Sequence, residues 1–135
     1  MNMSFKEIFD KYHNIAVYGM SSNPSKAAYS VPSFMQKQGY NIIPINPQAD
    51  EINGLKVYKK LEDIPDKIDI LNVFRPSEET LKVVKEAVER RKNKGDISLI
   101  WLQEGIINDE AKNLANENGI DFVQNLCMYK AYISI

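Results

Sequence analysis

At 135 residues, with 44% hydrophobic and 26% charged side chains, the chain is expected to form one globular domain. Its 17 basic and 18 acidic residues leave a formal net charge of -1, which gives no general pull toward nucleic acid or an anionic membrane, so any anion it binds must be held by a local site. No apolar run approaches the roughly 20 residues that span a bilayer.

The opening MNMSFKEIFDKYHN is not expected to act as a secretion signal, because Glu7 and Asp10 interrupt its apolar residues. A single cysteine, Cys127, forbids an internal disulfide and fits a cytoplasmic protein. Ser4 followed by Glu7 is a capping-box pattern, and Phe5, Ile8, Phe9 and Tyr12 share one side of a short opening helix that Asn14 ends. A strand is predicted over 15–18 (IAVY), closed by Gly19. After a polar loop, Val31, Phe34 and Met35 mark one face of a helix that stops at Gly39. Pro32 suits a first turn, so either Ser30 caps this helix or it starts nearer Ala27 with one backbone bond missing.

Residues 40–45 (YNIIPI) read as the second strand, although Pro44 donates no ladder bond and belongs near a strand end or an edge. Residues 48–66 look irregular, with a turn at Asn53-Gly54 and one helical turn near 61–64. A third strand is predicted over 68–74 (IDILNVF). Ser77 with Glu78, Glu79 and Thr80 then opens a long helix whose apolar face carries Leu81, Val84, Ala87 and Val88. Its end, ERRKNK at 89–94, reads as a solvated basic helix terminus rather than a nucleic-acid patch. Residues 97–102 (ISLIWL) form the fourth strand, Asn108 or Asp109 caps the next helix, which stops at Asn118-Gly119, and 120–123 give a fifth strand; the tail is left unassigned. Strands alternating with helices at this spacing call for parallel pairing through right-handed crossovers. The expected fold is a doubly wound α/β sandwich, a mainly parallel five-stranded sheet with helices on both faces and strand order 3-2-1-4-5.

Ligands of such sheets sit at the carboxyl ends of the strands, beside the point where the winding reverses. That rule nominates loops 19–26, 46–47, 74–76 and 103–106 and the segment after Val123. The first has the parts of an anion cradle: Gly19 for a tight turn, hydroxyls on Ser21 and Ser22, a following helix N-terminus and the ammonium of Lys26. The alternative is a plain strand-to-helix turn whose serines cap the helix, and the anion cradle is the favoured reading. The loop GMSSNPSK lacks G-x-G-x-x-G, and the second strand ends in the neutral Asn46-Pro47 where a dinucleotide site wants a carboxylate. No G-x-x-x-x-G-K-[ST] is present either, so NAD and ATP both lose ground. Arg75 is a candidate anion partner or merely punctuates the turn before Pro76, and Gly105 with Ile106 makes either a simple turn or an apolar wall with close backbone approach. Trp101 and Phe74 read as core. Cys127, in QNLCMYK, is a small buried hydrophobe or a thiol with Lys130 as its one nearby cation, and His13 reads as a surface residue. No metal cluster and no nucleophile-base arrangement is visible.

Together the blocks AVYGMSSNPSKAAYSVPSFMQKQGYNIIPINPQADEINGLKVY, IDILNVFRPSE and WLQEGIIN resemble the small stand-alone CoA-binding proteins, related to the CoA-binding domain of the succinyl-CoA synthetase alpha subunit. The resemblance implies a Rossmann-like domain that binds coenzyme A, with the diphosphate over the first loop. On this chain it assigns Gly19, Ser21, Pro24, Lys26 and Ser30 to the first loop and Asn46 and Pro47 to the second. Phe74 and Arg75 fall to the third, Gln103, Gly105 and Ile106 to the fourth, and the family's cysteine is retained as Cys127. Two departures stand out: family members commonly carry arginine where Lys26 stands, and Asp-Arg-Cys followed by Glu-His where this chain has Asn125-Leu126-Cys127 and ends AYISI. The synthetase's phosphoryl-carrying histidine and its further domain have no counterpart in these residues. The expectation is therefore a non-catalytic carrier, sensor or accessory protein for CoA or an acyl-CoA, with a protein partner or a second copy left open. The alternatives are an NAD-linked or thiol enzyme using Cys127, and an interaction module with a decayed nucleotide site.

Overall fold

The structure is a computed structural model that describes residues 2–135. Helix α1 (Phe5–Lys11) opens on the expected capping box: the Ser4 hydroxyl accepts from the Glu7 N–H and the Glu7 carboxylate accepts from the Ser4 N–H. Strand β1 (Asn14–Tyr18) leads through the first loop to α2 (Ala27–Lys37), so of the two starts open in the sequence the earlier holds, with Pro32 inside the helix. Pro32 leaves the Ala28 carbonyl without its intrahelical donor, and the Ser21 N–H fills that place at 3.1 Å. The proline thus ties the first loop to the helix that follows it.

Strand β2 (Asn41–Ile45) is followed by the hairpin β3 (Glu51–Ile52) and β4 (Leu55–Lys56). Asn53 and Gly54 turn it with φ of +51° and +79°, the pair of left-handed residues a two-residue hairpin needs. A 3₁₀ turn at Leu61–Asp63 precedes β5 (Ile70–Val73). A second 3₁₀ turn at Ser77–Glu79 enters α3 (Thr80–Lys94), which stops at Gly95 with φ +74°. Strand β6 (Leu99–Leu102), helix α4 (Asp109–Glu117), capped by the Asn108 side chain on the Ala111 N–H, and strand β7 (Asp121–Val123) follow. The unassigned tail forms a short helix, α5 (Met128–Ile133).

All five long strands pair in parallel in the order β2-β1-β5-β6-β7. Helices α1, α2 and α5 cover one face around Trp101 and Phe9, and α3 and α4 cover the other around Val84, Ala87 and Ile100. The α/β Rossmann-like class is as expected, but the order is corrected: counting the five sheet strands it is 2-1-3-4-5, not 3-2-1-4-5. Pro44 supplies the reason. Its carbonyl faces outward and accepts from the Tyr58 N–H at 2.9 Å, so the missing proline N–H lies on the outer side of β2, where a third strand would have required a donor. Strand β5 therefore lies on the other flank of β1, and its four residues are all buried, as an interior strand requires.

The basic helix end is also corrected. Arg90 is 3% exposed in its side chain, paired with Asp96 at 2.9 Å. Its Nη1 donates to the carbonyls of Leu61 and Ile64 and its Nη2 to that of Asp66, while Asp96 also accepts from the Ile68 N–H. What reads as a solvated run is partly a buried clamp holding the segment before β5 against α3.

Candidate functional site

With β5 beside β1, the winding reverses between these two strands, and the loops after them meet. Gly19 sits at that point with φ +89°. A Cβ added there would lie 2.9 Å from both the Phe74 carbonyl oxygen and the Arg75 Cδ, so the stem of Arg75 rests directly on the Gly19 backbone. The Gly19 N–H donates to the Ile45 carbonyl at 3.0 Å and the Phe74 N–H to the Tyr18 carbonyl at 2.9 Å, fixing three strand ends to one another. Glycine is demanded here twice, by conformation and by space.

The first loop is held largely by itself. The Ser21 hydroxyl accepts from the Asn23 N–H, and the Asn23 side-chain oxygen accepts from both the N–H and the hydroxyl of Ser25. No serine caps α2. Its N-cap residue is Lys26, with no side-chain bond to the first turn, so the Ala27 and Ala28 N–H groups stay uncapped at the positive end of an eleven-residue helix. Pro24, Lys26 and Ser30 are exposed around them, Ser30 within the helix rather than before it.

Asn46 is used structurally on both sides of its amide. Its Nδ2 donates to the Met20 carbonyl at 2.9 Å, and its Oδ1 accepts from the N–H groups of Gln48 and Ala49. It stitches the first loop to the second and keeps the end of β2 free of a carboxylate, with Pro47 exposed beside it. Arg75 donates from Nη2 to both oxygens of Glu79, at 2.8 and 3.1 Å. Beneath them Tyr18 donates to Glu86, and partial burial, followed by that bond, pushes its phenol up to about 12, so it stays protonated.

Gln103 is 4% exposed, and its Oε1 accepts from the Met128 N–H that begins α5. Gly105, at φ +87°, donates to the Asn125 Oδ1 at 2.8 Å, while the Asn125 N–H donates to the Ile106 carbonyl at 3.1 Å. Asn125 itself adopts φ +56°. The fourth loop is thus clasped by the residue that stands where the resembled family commonly has aspartate. Cys127 is buried ahead of α5, and the ammonium of Lys130 is bonded to Glu104 at 2.9 Å. His13 lies at the opposite, amino-terminal edge of the sheet, exposed and stacked on Tyr40 at 5.4 Å between centroids.

The loops of Gly19, Asn46, Phe74-Arg75 and Gln103–106 therefore line the carboxyl edge of the sheet, with Gly19 and Arg75 in direct contact. From sequence Glu79 reads only as a helix opener and Asn125 only as a departure from the resembled family, and Asn72 is not singled out. Asn72 was detectable as the one polar residue in the apolar run ILNV. It is 1% exposed in β5, two residues before Phe74, and its Oδ1 has no donor while its Nδ2 meets the Met128 sulfur at 3.8 Å. A groove of about 570 Å³ lies elsewhere, between α3 and segment 60–62, lined by Lys60, Glu62, Lys82, Lys85 and Glu89 among others. It contains none of the strand-end residues, and the topology of the sheet favours the strand ends over it. Among the described residues no three His, Cys, Asp or Glu side chains are grouped to hold a metal ion, and no helix is long and apolar enough to cross a membrane.

A family profile described as a CoA binding domain matches residues 13–132. The uncharacterized protein YneT of Bacillus subtilis is 39% identical over 127 residues, covering 94% of this chain and 90% of that protein. The alpha subunit of ADP-forming acetate–CoA ligase II from Pyrococcus furiosus is 29% identical over 100 residues, covering 73% of this chain and 21% of the subunit. This chain spans about a fifth of that ligase subunit. Among solved structures, a hypothetical protein from Pyrococcus horikoshii aligns with a TM-score of 0.89 at 32% identity, over 96% of this chain and 88% of that one.

Proposed function

The chain belongs to the CoA-binding domain family, and from that premise we propose that it binds coenzyme A or an acyl-CoA at the carboxyl ends of β1, β2, β5 and β6, as a carrier, sensor or accessory protein without chemistry of its own. The observation that carries the reading is the convergence at Gly19. The backbone there is bare, the first turn of α2 is uncapped, and Lys26 and Arg75 flank the same loop. A diphosphate needs such a place, with N–H donors, a helix N-terminus and positive charge around a backbone it can approach closely.

In this reading the Ala27 and Ala28 N–H groups and Lys26 receive the diphosphate, with Ser21, Pro24 and Ser30 forming the rim. Lysine acts there as a point charge where arginine would form a two-pronged grip. Asn46 and Pro47 present a neutral surface to the ribose end, which tolerates a sugar phosphate that a carboxylate would repel. The pantetheine arm runs past Phe74 toward Gln103, Gly105 and Ile106, with Cys127 behind that wall. The chain acts as one cytoplasmic domain on a small molecule, with no nucleic acid or membrane involved. Burial of Cys127 and the engagement of Lys130 by Glu104 weigh against the thiol enzyme, and the neutral Asn46-Pro47 at the end of β2 weighs against NAD.

Thermal unfolding in the presence of CoA, dephospho-CoA, NAD and ATP tests this. At a hundredfold excess of CoA over its Kd the stabilisation should be about 2.7 kcal/mol, with a smaller response to the other three. No shift with millimolar CoA, or an equal shift with all four, contradicts it.

A further inference from the structure

Arg75 is the one guanidinium at the switch point, and it is already engaged. Its stem is fixed against Gly19, with Cδ and Cγ 2.9 and 3.5 Å from where a Cβ would stand, while its head group is turned to Glu79. Both bonds to Glu79 leave from Nη2, so the carboxylate is gripped by one nitrogen rather than by the two-nitrogen fork that gives arginine its strongest pairing. The two side chains are 43% and 45% exposed, so the pair separates without disturbing the core and contributes only as a solvent-screened ion pair does. Glu79 is also the N-cap residue of the fifteen-residue helix α3, where its charge is stabilised by the helix dipole whether or not Arg75 holds it.

We propose that Glu79 is a competing anion built into the site: a diphosphate approaching Gly19 must take the Arg75 guanidinium from Glu79, which makes Glu79 a residue that sets the affinity for phosphate-bearing ligands. A dianionic group that offers two oxygens to the fork replaces the carboxylate with a better partner, whereas a neutral or weakly charged ligand gains nothing from Arg75. Glu79 thereby weakens binding of a ligand that must take Arg75 and leaves a ligand that ignores Arg75 unaffected. The inference rests on the placement of the diphosphate proposed above.

Calorimetric titration of wild type, Glu79→Gln, Arg75→Gln and the double variant with CoA and, separately, with inorganic pyrophosphate tests it, with circular dichroism to check that α3 is intact. Glu79→Gln should bind CoA about two- to fivefold more tightly, the range for release of a half-exposed ion pair. That gain should vanish in the Arg75→Gln background, and the Arg75 Nε–H resonance of the wild type should move on adding pyrophosphate. Unchanged or weaker binding by Glu79→Gln, or a gain that persists without Arg75, overturns the proposal. A Glu79-dependent response to pyrophosphate with no response to CoA would leave this inference standing and remove the coenzyme assignment. CoA binding without Glu79 dependence would do the reverse, and no response to either ligand would sink both.

Discussion

Arg90 shows how much one side chain can carry that its local sequence conceals. Within ERRKNK it is indistinguishable from its neighbours, because a charge run looks the same whether its members face water or not; its partners, Asp96 and the carbonyls of Leu61, Ile64 and Asp66, are set by tertiary folding. All of its N–H directions find acceptors, which is what makes a buried charge tolerable. Arg90→Ala should therefore lower stability by about 3–5 kcal/mol in urea unfolding, since it strands Asp96. Arg90→Lys should recover only part of this, because three ammonium donors cannot reach five acceptor directions. Equal stability of Arg90→Lys and wild type would contradict the clamp. Gly19 stands at the other extreme: a glycine closing an apolar strand and followed by serines announces a close backbone approach, and the contact with Arg75 gives that approach its cause.

At the scale of elements, the alternation of strands and helices was readable because each crossover keeps its own period and punctuation. The order of the sheet was not, although Pro44 held the clue: a proline whose N–H side must face away from a partner makes β2 an edge. The tail was opaque for a different reason. Asn125 takes a left-handed conformation and ties Gly105 and Ile106 to the start of α5, and neither feature shows in the letters QNLCMYK. Asn125→Ala should cost about 2 kcal/mol, from a lost hydrogen bond and a strained backbone together. Asn125→Gly, which keeps the conformation and loses only the bond, should cost about half as much. Equal losses in chemical unfolding would show that the conformation at 125 is not what holds the fourth loop.

Over the whole molecule, pairing of β5 with β1 sets the loop of Phe74 and Arg75 directly against Gly19, where the order 3-2-1-4-5 would have left it two strands away. The four loops expected from sequence do share one edge of the sheet, and His13 lies at the other. What the sequence could not convey was how many polar groups of those loops are spent on one another: Asn46, Ser21 and Asn23 are occupied internally, while the first turn of α2 is uncapped, Lys26 is exposed and the Arg75–Glu79 pair is half-exposed. The most direct measurement is an amide chemical-shift map of the isotope-labelled protein titrated with coenzyme A. Saturable shifts concentrated at 19–30, 46–47, 74–75 and 103–106 are expected. An unmoved spectrum at millimolar coenzyme A, or shifts gathered instead along the groove between α3 and 60–62, would contradict binding at the strand ends.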